Sequence, residues 1–267
     1  MLVPVVSFLT TQQPALRRVG QFVAVALGLA AAGCRDKTEP APEQGVDYYP
    51  VAVNNFWTYV VADSAYSQAT NSQPTSTLQV SNYQFRETIV SAFADAAGQP
   101  AYRLVRAKRI PPATTWVDDS VFVLTPTPQS VALTRNNLKT LELIFPVREG
   151  RLWNFNAYNN NTADTITAET RRYSRVGQPF TTRAGAVQTY PLTLATSNEG
   201  LAKSDDSYYV KTYEQVYAKG VGPVMRRRRR YARFYTTDPR TGSVTFVPNA
   251  YIYGFSRTET LVDYGPK

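Results

Sequence analysis

The chain has no histidine among its 267 residues. That absence removes Ser-His-Asp and Cys-His catalysis, histidine-ligated zinc or iron, and the side chain that ordinarily moves protons near neutral pH. Cysteine is almost as scarce. Cys34 stands alone, so no intrachain disulfide can staple a fold, which must rest on burial and strand pairing. A membrane-crossing helix is missing too. The longest uncharged apolar run, Val19 to Gly33, has 15 residues, short of the roughly 20 that span a bilayer core. After it, no segment shows the periodicity of a long amphipathic helix. What the chain has instead is aromatic bulk, with 18 Tyr, 12 Phe and 3 Trp, large enough to build a core without disulfides.

The apolar run has a recognisable setting. Arg17 and Arg18 precede it, and the small residues Ala31, Ala32 and Gly33 end it directly before Cys34, the arrangement of a signal peptide with its cut site. The Gly33-Cys34 pair resembles the lipobox of bacterial lipoproteins, with Ala31 where Leu is usual. The resemblance implies that the Cys34 thiol becomes a thioether to diacylglycerol and that the new amino terminus is acylated with a palmitate-type chain. Each buried methylene contributes about 0.8 kcal/mol, and two or more chains give stable attachment where one does not. Arg35, rather than Asp, follows the cysteine, which resembles the outer-membrane class. The expected location is the cell envelope, anchored by lipid to the outer membrane, with periplasmic and surface exposure both open.

Arg35 to Gly45 contains no large apolar side chain and cannot offset its ordering entropy. The expected organisation is a leader at 1–33, lipidated Cys34 with a tether at 34–46, and one β-rich domain at 47–267. Without the leader, 27 Lys plus Arg face 20 Asp plus Glu, a basic balance suited to anionic partners.

Within the domain the periodicity is that of strands. Phe85, Glu87, Ile89, Ser91 and Phe93 alternate onto one side, Asp95 to Gly98 reads as a turn, and Ala101 to Arg109 returns as a hairpin. Short runs at 120–125, 130–134, 138–145, 165–172 and 187–195 follow, and 231–236 and 243–247 flank a turn at 237–242. The predicted class is mainly β: antiparallel strands in a large twisted sheet, a sandwich or a partly closed barrel.

One pattern occurs twice. Tyr49-Pro50-Val51, five residues, then Trp57-x-Tyr59 has the spacing of Phe145-Pro146-Val147, five residues, then Trp153-x-Phe155. A structural repeat and a chance echo in an aromatic-rich chain both account for it. These motifs, with Val216 to Val224, resemble hallmarks of a family of uncharacterised bacterial lipoproteins over most of the mature chain. Asn55 stands where that family commonly has Gly. The resemblance implies an anchor and a fold, and brings no activity with it.

Catalytic patterns are few. Asp118-Asp119 and Asp205-Asp206 are adjacent, and strand neighbours point to opposite faces, so neither pair alone makes the facing carboxylates of a glycosidase; turns or loops are the expected place for them. Gly220-Val221-Gly222-Pro223 lacks the flanking strand and helix of a phosphate loop and reads as a bend. No calcium-loop spacing is present. The expectation is no catalytic residue, no metal, no cofactor and no enzyme.

The unusual polar feature is Arg226, Arg227, Arg228, Arg229 and Arg230, followed by Tyr231 and Arg233. On a strand such a run faces both ways and is expected to project into solvent or meet anions. Guanidiniums suit bidentate contact with phosphate or carboxylate, so these six arginines are the candidate anion-binding residues. Solvated side chains paired with acids such as Glu214 are the plainer explanation. Replacing the whole run by Ser is expected to leave folding intact. The expected partners are the membrane, through the lipid, and an anionic envelope component, glycan or protein; a membrane address disfavours nucleic acid. The preferred function is a non-catalytic binding or scaffolding lipoprotein. A carrier of a lipid or other hydrophobic ligand would show an unfilled concave apolar surface. A carboxylate-dependent glycan hydrolase would show two carboxyl groups in a cleft.

Overall fold

The β periodicity is realised as one antiparallel sheet. The computed structural model describes residues 44–158, 169–200 and 203–266. Its strands are β1 Phe56–Tyr66, β2 Leu78–Ala94, β3 Pro100–Arg109, β4 Val117–Thr127, β5 Ser130–Arg135, β6 Leu138–Ile144, β7 Leu152–Asn154, β8 Thr170–Ala184, β9 Ala186–Glu199, β10 Ser204–Asp205, β11 Tyr209–Ala218, β12 Gly222–Thr237 and β13 Val244–Gly265. Among the described residues there is no α-helix; a 3-10 turn spans Val46–Tyr48.

The strands form two up-and-down meanders. β1 to β6 follow in order, β7, β8, β9, β11, β12 and β13 do the same, and β1 pairs with β13 to join them; β10 pairs only with β11. The end strands β6 and β7 meet across a seam. The Leu141 amide donates to the Phe155 carbonyl at 2.9 Å, the Trp153 indole to the Leu141 carbonyl at 3.0 Å, and the Tyr173 hydroxyl to the Ile144 carbonyl at 2.8 Å. The sheet is thereby a nearly closed barrel, the arrangement among those expected that leaves least unpaired edge.

The register gives the barrel two ends. Phe56, Thr127, Ser130, Ile144, Ala218, Gly222 and Gly265 lie at one, and Tyr66, Leu78, Arg135, Leu138, Tyr209, Thr237 and Val244 at the other. The first end is a floor. The Gly220 amide donates to the Asp47 carbonyl at 2.8 Å, and buried Tyr49 lies 5.9 Å edge-on from the Trp57 ring and 5.9 Å from that of Tyr217. Trp57 donates to the Val221 carbonyl at 2.6 Å and Tyr59 to that of Pro223 at 2.9 Å. Gly222, at φ 103°, lets the indole in, because a Cβ there would lie 2.9 Å from the Trp57 nitrogen. This Gly-rich stretch is the bend between β11 and β12.

Several expectations change. Residues 44–46 belong to the floor rather than to the tether, with buried Gly45 packed on Val147. Strands are longer than expected, up to the 22 residues of β13, because register shifts let a strand bend without ending. One such shift, between Ile89 and Ser91, exposes Ser91 and Phe93 while Phe85, Glu87 and Ile89 stay buried. Asp118 and Asp119 lie exposed on β4 rather than in a turn. Cys34, the leader, the tether to residue 43 and the expected strand start at 165–168 lie outside the described residues. Trp57 and Trp153 occupy the second positions of β1 and β7, the strands that open the two meanders.

Candidate anion-binding site

Strand alternation divides the arginine run. Arg226 faces inward between Gln215 of β11 and Glu259 of β13; Arg228 lies between Tyr213 and Arg257, and Arg230 between Lys211 and Phe255. Arg227 and Arg229 point outward with Glu214 and Thr212 as cross-strand neighbours. Arg229 donates to Thr212 at 3.1 Å, while Glu214 pairs with Arg175. Arg233, beyond a register shift, is exposed opposite Tyr251.

The run is therefore not one solvated strip, and here the structure corrects the sequence expectation. Arg226 is buried. Its guanidinium grips both oxygens of Glu87, at 3.0 and 2.9 Å, and reaches Glu259 at 3.1 Å. Arg106 also donates to Glu87 and lies 3.7 Å from Glu259. Two guanidiniums and two carboxylates thus neutralise each other inside the barrel, with Tyr59 under Arg226 and Phe85 under Arg106. Burial pushes the Glu87 carboxyl up, but Arg226 and Arg106 outweigh it and hold that carboxyl well below the usual range. A carboxylate held this way is a poor general acid.

Toward the open end the charges stop cancelling. A cavity of 440 Å³ lies above the network, bordered by Arg135 from β5 on one side and Arg228 and Arg257 on the other. Beside it a second cavity of 290 Å³ is bordered by Arg171, Lys211, Arg228 and Arg230, with Glu169 as its carboxylate. Tyr213, Arg228 and Phe255 border both. Some of these cations are spoken for: Arg135 pairs with Glu142 at 3.0 Å, and Arg257 with Asp63 at 2.6 Å. Among the described residues, Lys211, Arg228 and Arg230 have no carboxylate partner.

Arg171 is the most constrained member. It is 2% exposed, and its guanidinium lies 4.3 Å from the Phe155 ring and 3.6 Å from that of Tyr213. One terminal nitrogen meets Glu169, while Nε and Nη1 have no hydrogen-bond partner. Unsatisfied buried donors are costly, and a guanidinium more so than a neutral group. Asn198 fixes the strand beneath, donating to the Lys211 carbonyl at 3.0 Å and accepting from the Tyr213 amide at 2.8 Å. The arrangement offers preorganised cationic donors to an oxyanion.

Of the residues singled out from sequence, Arg228 and Arg230 reach this site, Arg226 lies beneath it in an internal network, Arg227 borders the first cavity and Arg229 the second, and Arg233 borders neither. Glu87, Arg106, Arg171, Lys211 and Arg257 went unnoticed as site residues. Glu87 carried a signal, a charge on the same face as Phe85 and Ile89; Arg171 and Lys211 carried none, because nothing local marks a residue as convergent. Comparison with models of known families, with curated proteins and with solved structures returns no match.

Proposed function

We propose that this protein is a lipid-anchored component of the bacterial cell envelope whose barrel binds, without catalysis, an anionic ligand at its open end. The carrying observation is the convergence of Lys211, Arg228 and Arg230 with the two unpartnered nitrogens of Arg171 around one cavity. The apolar interior is filled by Trp57, Tyr59, Tyr217 and their neighbours, and guanidiniums border the remaining space, which favours an anionic group over a hydrophobic cargo. Glu87 and Glu259 are both committed to Arg226, which weighs against carboxylate hydrolysis. Outward positions of β2, β3 and β12 carry Gln84, Arg86, Arg103, Arg227 and Arg229, a surface suited to water rather than to lipid chains.

Two measurements test this reading. Titration of inorganic polyphosphate into the full-length chain is expected to show binding that weakens as salt rises. The Lys211→Gln/Arg228→Gln/Arg230→Gln variant should bind at least roughly 1,000-fold more weakly, since hydrogen bonds to charged groups contribute about 1.5–3 kcal/mol each, with stability within about 0.5 kcal/mol of wild type. Undiminished binding by that variant overturns the site. For the anchor, Cys34→Ser is expected to move the protein from the membrane to the soluble fraction of expressing cells; retention in the membrane pellet refutes lipidation at this residue.

A further inference from the structure

The inner face changes character one step above the cations. Tyr209 on β11 pairs across the ladder with Ala232 of β12, which pairs with Tyr253 of β13. Tyr209 and Tyr253 are 48% and 41% exposed, whereas Ala232 between them is 1% exposed. The small residue lies beneath a shelf with an aromatic side chain at each edge. The Arg230 guanidinium lies 5.2 Å from the Tyr253 ring, tying the shelf to the cationic cavity. Next to Tyr209, Tyr208 is braced edge-on by Tyr235 at 5.4 Å and Phe246 at 5.0 Å, so packed rings support this part of the lip.

We propose that the anionic ligand is an acidic carbohydrate, whose sugar ring packs against Tyr209 and Tyr253 while its acid group passes inward to Arg171, Lys211, Arg228 and Arg230. The proposal rests on the reading of the mouth as an anion site and names the ligand class. Rings at the lip supply flat apolar faces that a polyanion without rings does not use. The depth of the site narrows the choice further. The floor is plugged by Tyr48 and Tyr49, so no chain threads through, and a ligand must present one acid group end-on. Single-stranded nucleic acid instead lays its phosphates along an open groove while its bases stack in series. The cavities of 440 and 290 Å³ lie near the lower part of the range for small-ligand sites, about 300–1,000 Å³, which suits the end of a short chain.

The test compares four probes on the full-length chain by calorimetry: trigalacturonate, inorganic tripolyphosphate, maltotriose and a short oligo-dT. Trigalacturonate is expected to bind about tenfold more tightly than tripolyphosphate and as tightly as a long polygalacturonate, with maltotriose undetected. Tyr209→Ala/Tyr253→Ala, both exposed positions, should weaken trigalacturonate by about tenfold and leave tripolyphosphate unchanged. Arg228→Gln should weaken both acidic probes, showing that the acid group uses the cavity. If the tyrosine variant leaves trigalacturonate unchanged, or if oligo-dT binds more tightly than the sugar acid, the carbohydrate assignment is overturned while the anion site stands. If neither acidic probe nor oligo-dT binds, the anion site itself falls.

Discussion

Glu87→Gln is expected to lower the unfolding free energy by about 3–5 kcal/mol, the usual cost of removing one partner from a buried ion pair. The reason is the ratio of charges. With the Glu87 carboxylate gone, Arg226 and Arg106 share Glu259 alone, and both guanidiniums remain inside the barrel. Glu87→Leu/Arg226→Met removes one charge of each sign and leaves Arg106 with Glu259, so it should recover most of that loss. Urea unfolding of the three proteins measures both effects. A Glu87→Gln protein within 1 kcal/mol of wild type, on the scale set by buried-pair removal, would show that water rather than the pair solvates these arginines.

The same carboxylate sets an acid limit. The folded-state affinity of Glu87 for its proton is depressed below the ordinary value of 4.5 by Arg226 and Arg106, against burial. Its stabilisation is therefore complete above that value and is lost as pH falls below it toward the depressed folded value. Wild type should lose stability through that window, and Glu87→Gln should show a flatter acid limb.

Trp57→Ala is expected to cost about 3–5 kcal/mol, from the cavity left by a fully buried indole. It also strips the Val221 carbonyl of its donor and leaves Tyr49 without its edge contact. Trp153→Ala removes a comparable side chain but at a different kind of place. Its indole nitrogen bonds the Leu141 carbonyl across the seam and its ring lies 4.5 Å from Tyr173 on neighbouring β8, where β7 contributes only three residues. Hydrogen exchange should separate the two: Trp153→Ala should speed exchange at the Leu141 and Phe155 amides first, whereas Trp57→Ala should loosen the floor around Gly220. Equal exchange profiles in both variants would show that the barrel opens only as a whole.

The arginine run teaches where local reading stops. Alternation alone assigns Arg226, Arg228 and Arg230 to one face and Arg227 and Arg229 to the other. It does not say which face is enclosed, nor that one member of a uniform run is buried. That depends on Glu87, 139 positions away in the chain, and on Glu259, which the curl of the sheet brings to the same level. The expectation that the whole run can be replaced without cost fails at Arg226 for that reason. Tyr209 and Tyr253 flank Ala232 only because β11, β12 and β13 are aligned in register.

The residues themselves determine that the domain is β-rich, through period-two alternation broken by Pro, Gly and Asn, and that its chemistry excludes histidine and disulfides. They determine the β2–β3 hairpin, the bend at Gly220 to Pro223 and the inward placement of Glu87 among Phe85 and Ile89. The tertiary structure alone decides that the sheet closes on itself, because closure joins β1 to β13 and brings β6 to β7 across separations no local period encodes. It also decides which arginines cancel and which do not: charge neutralisation follows distance in space, and side chains on many strands become neighbours only when the sheet curls around them.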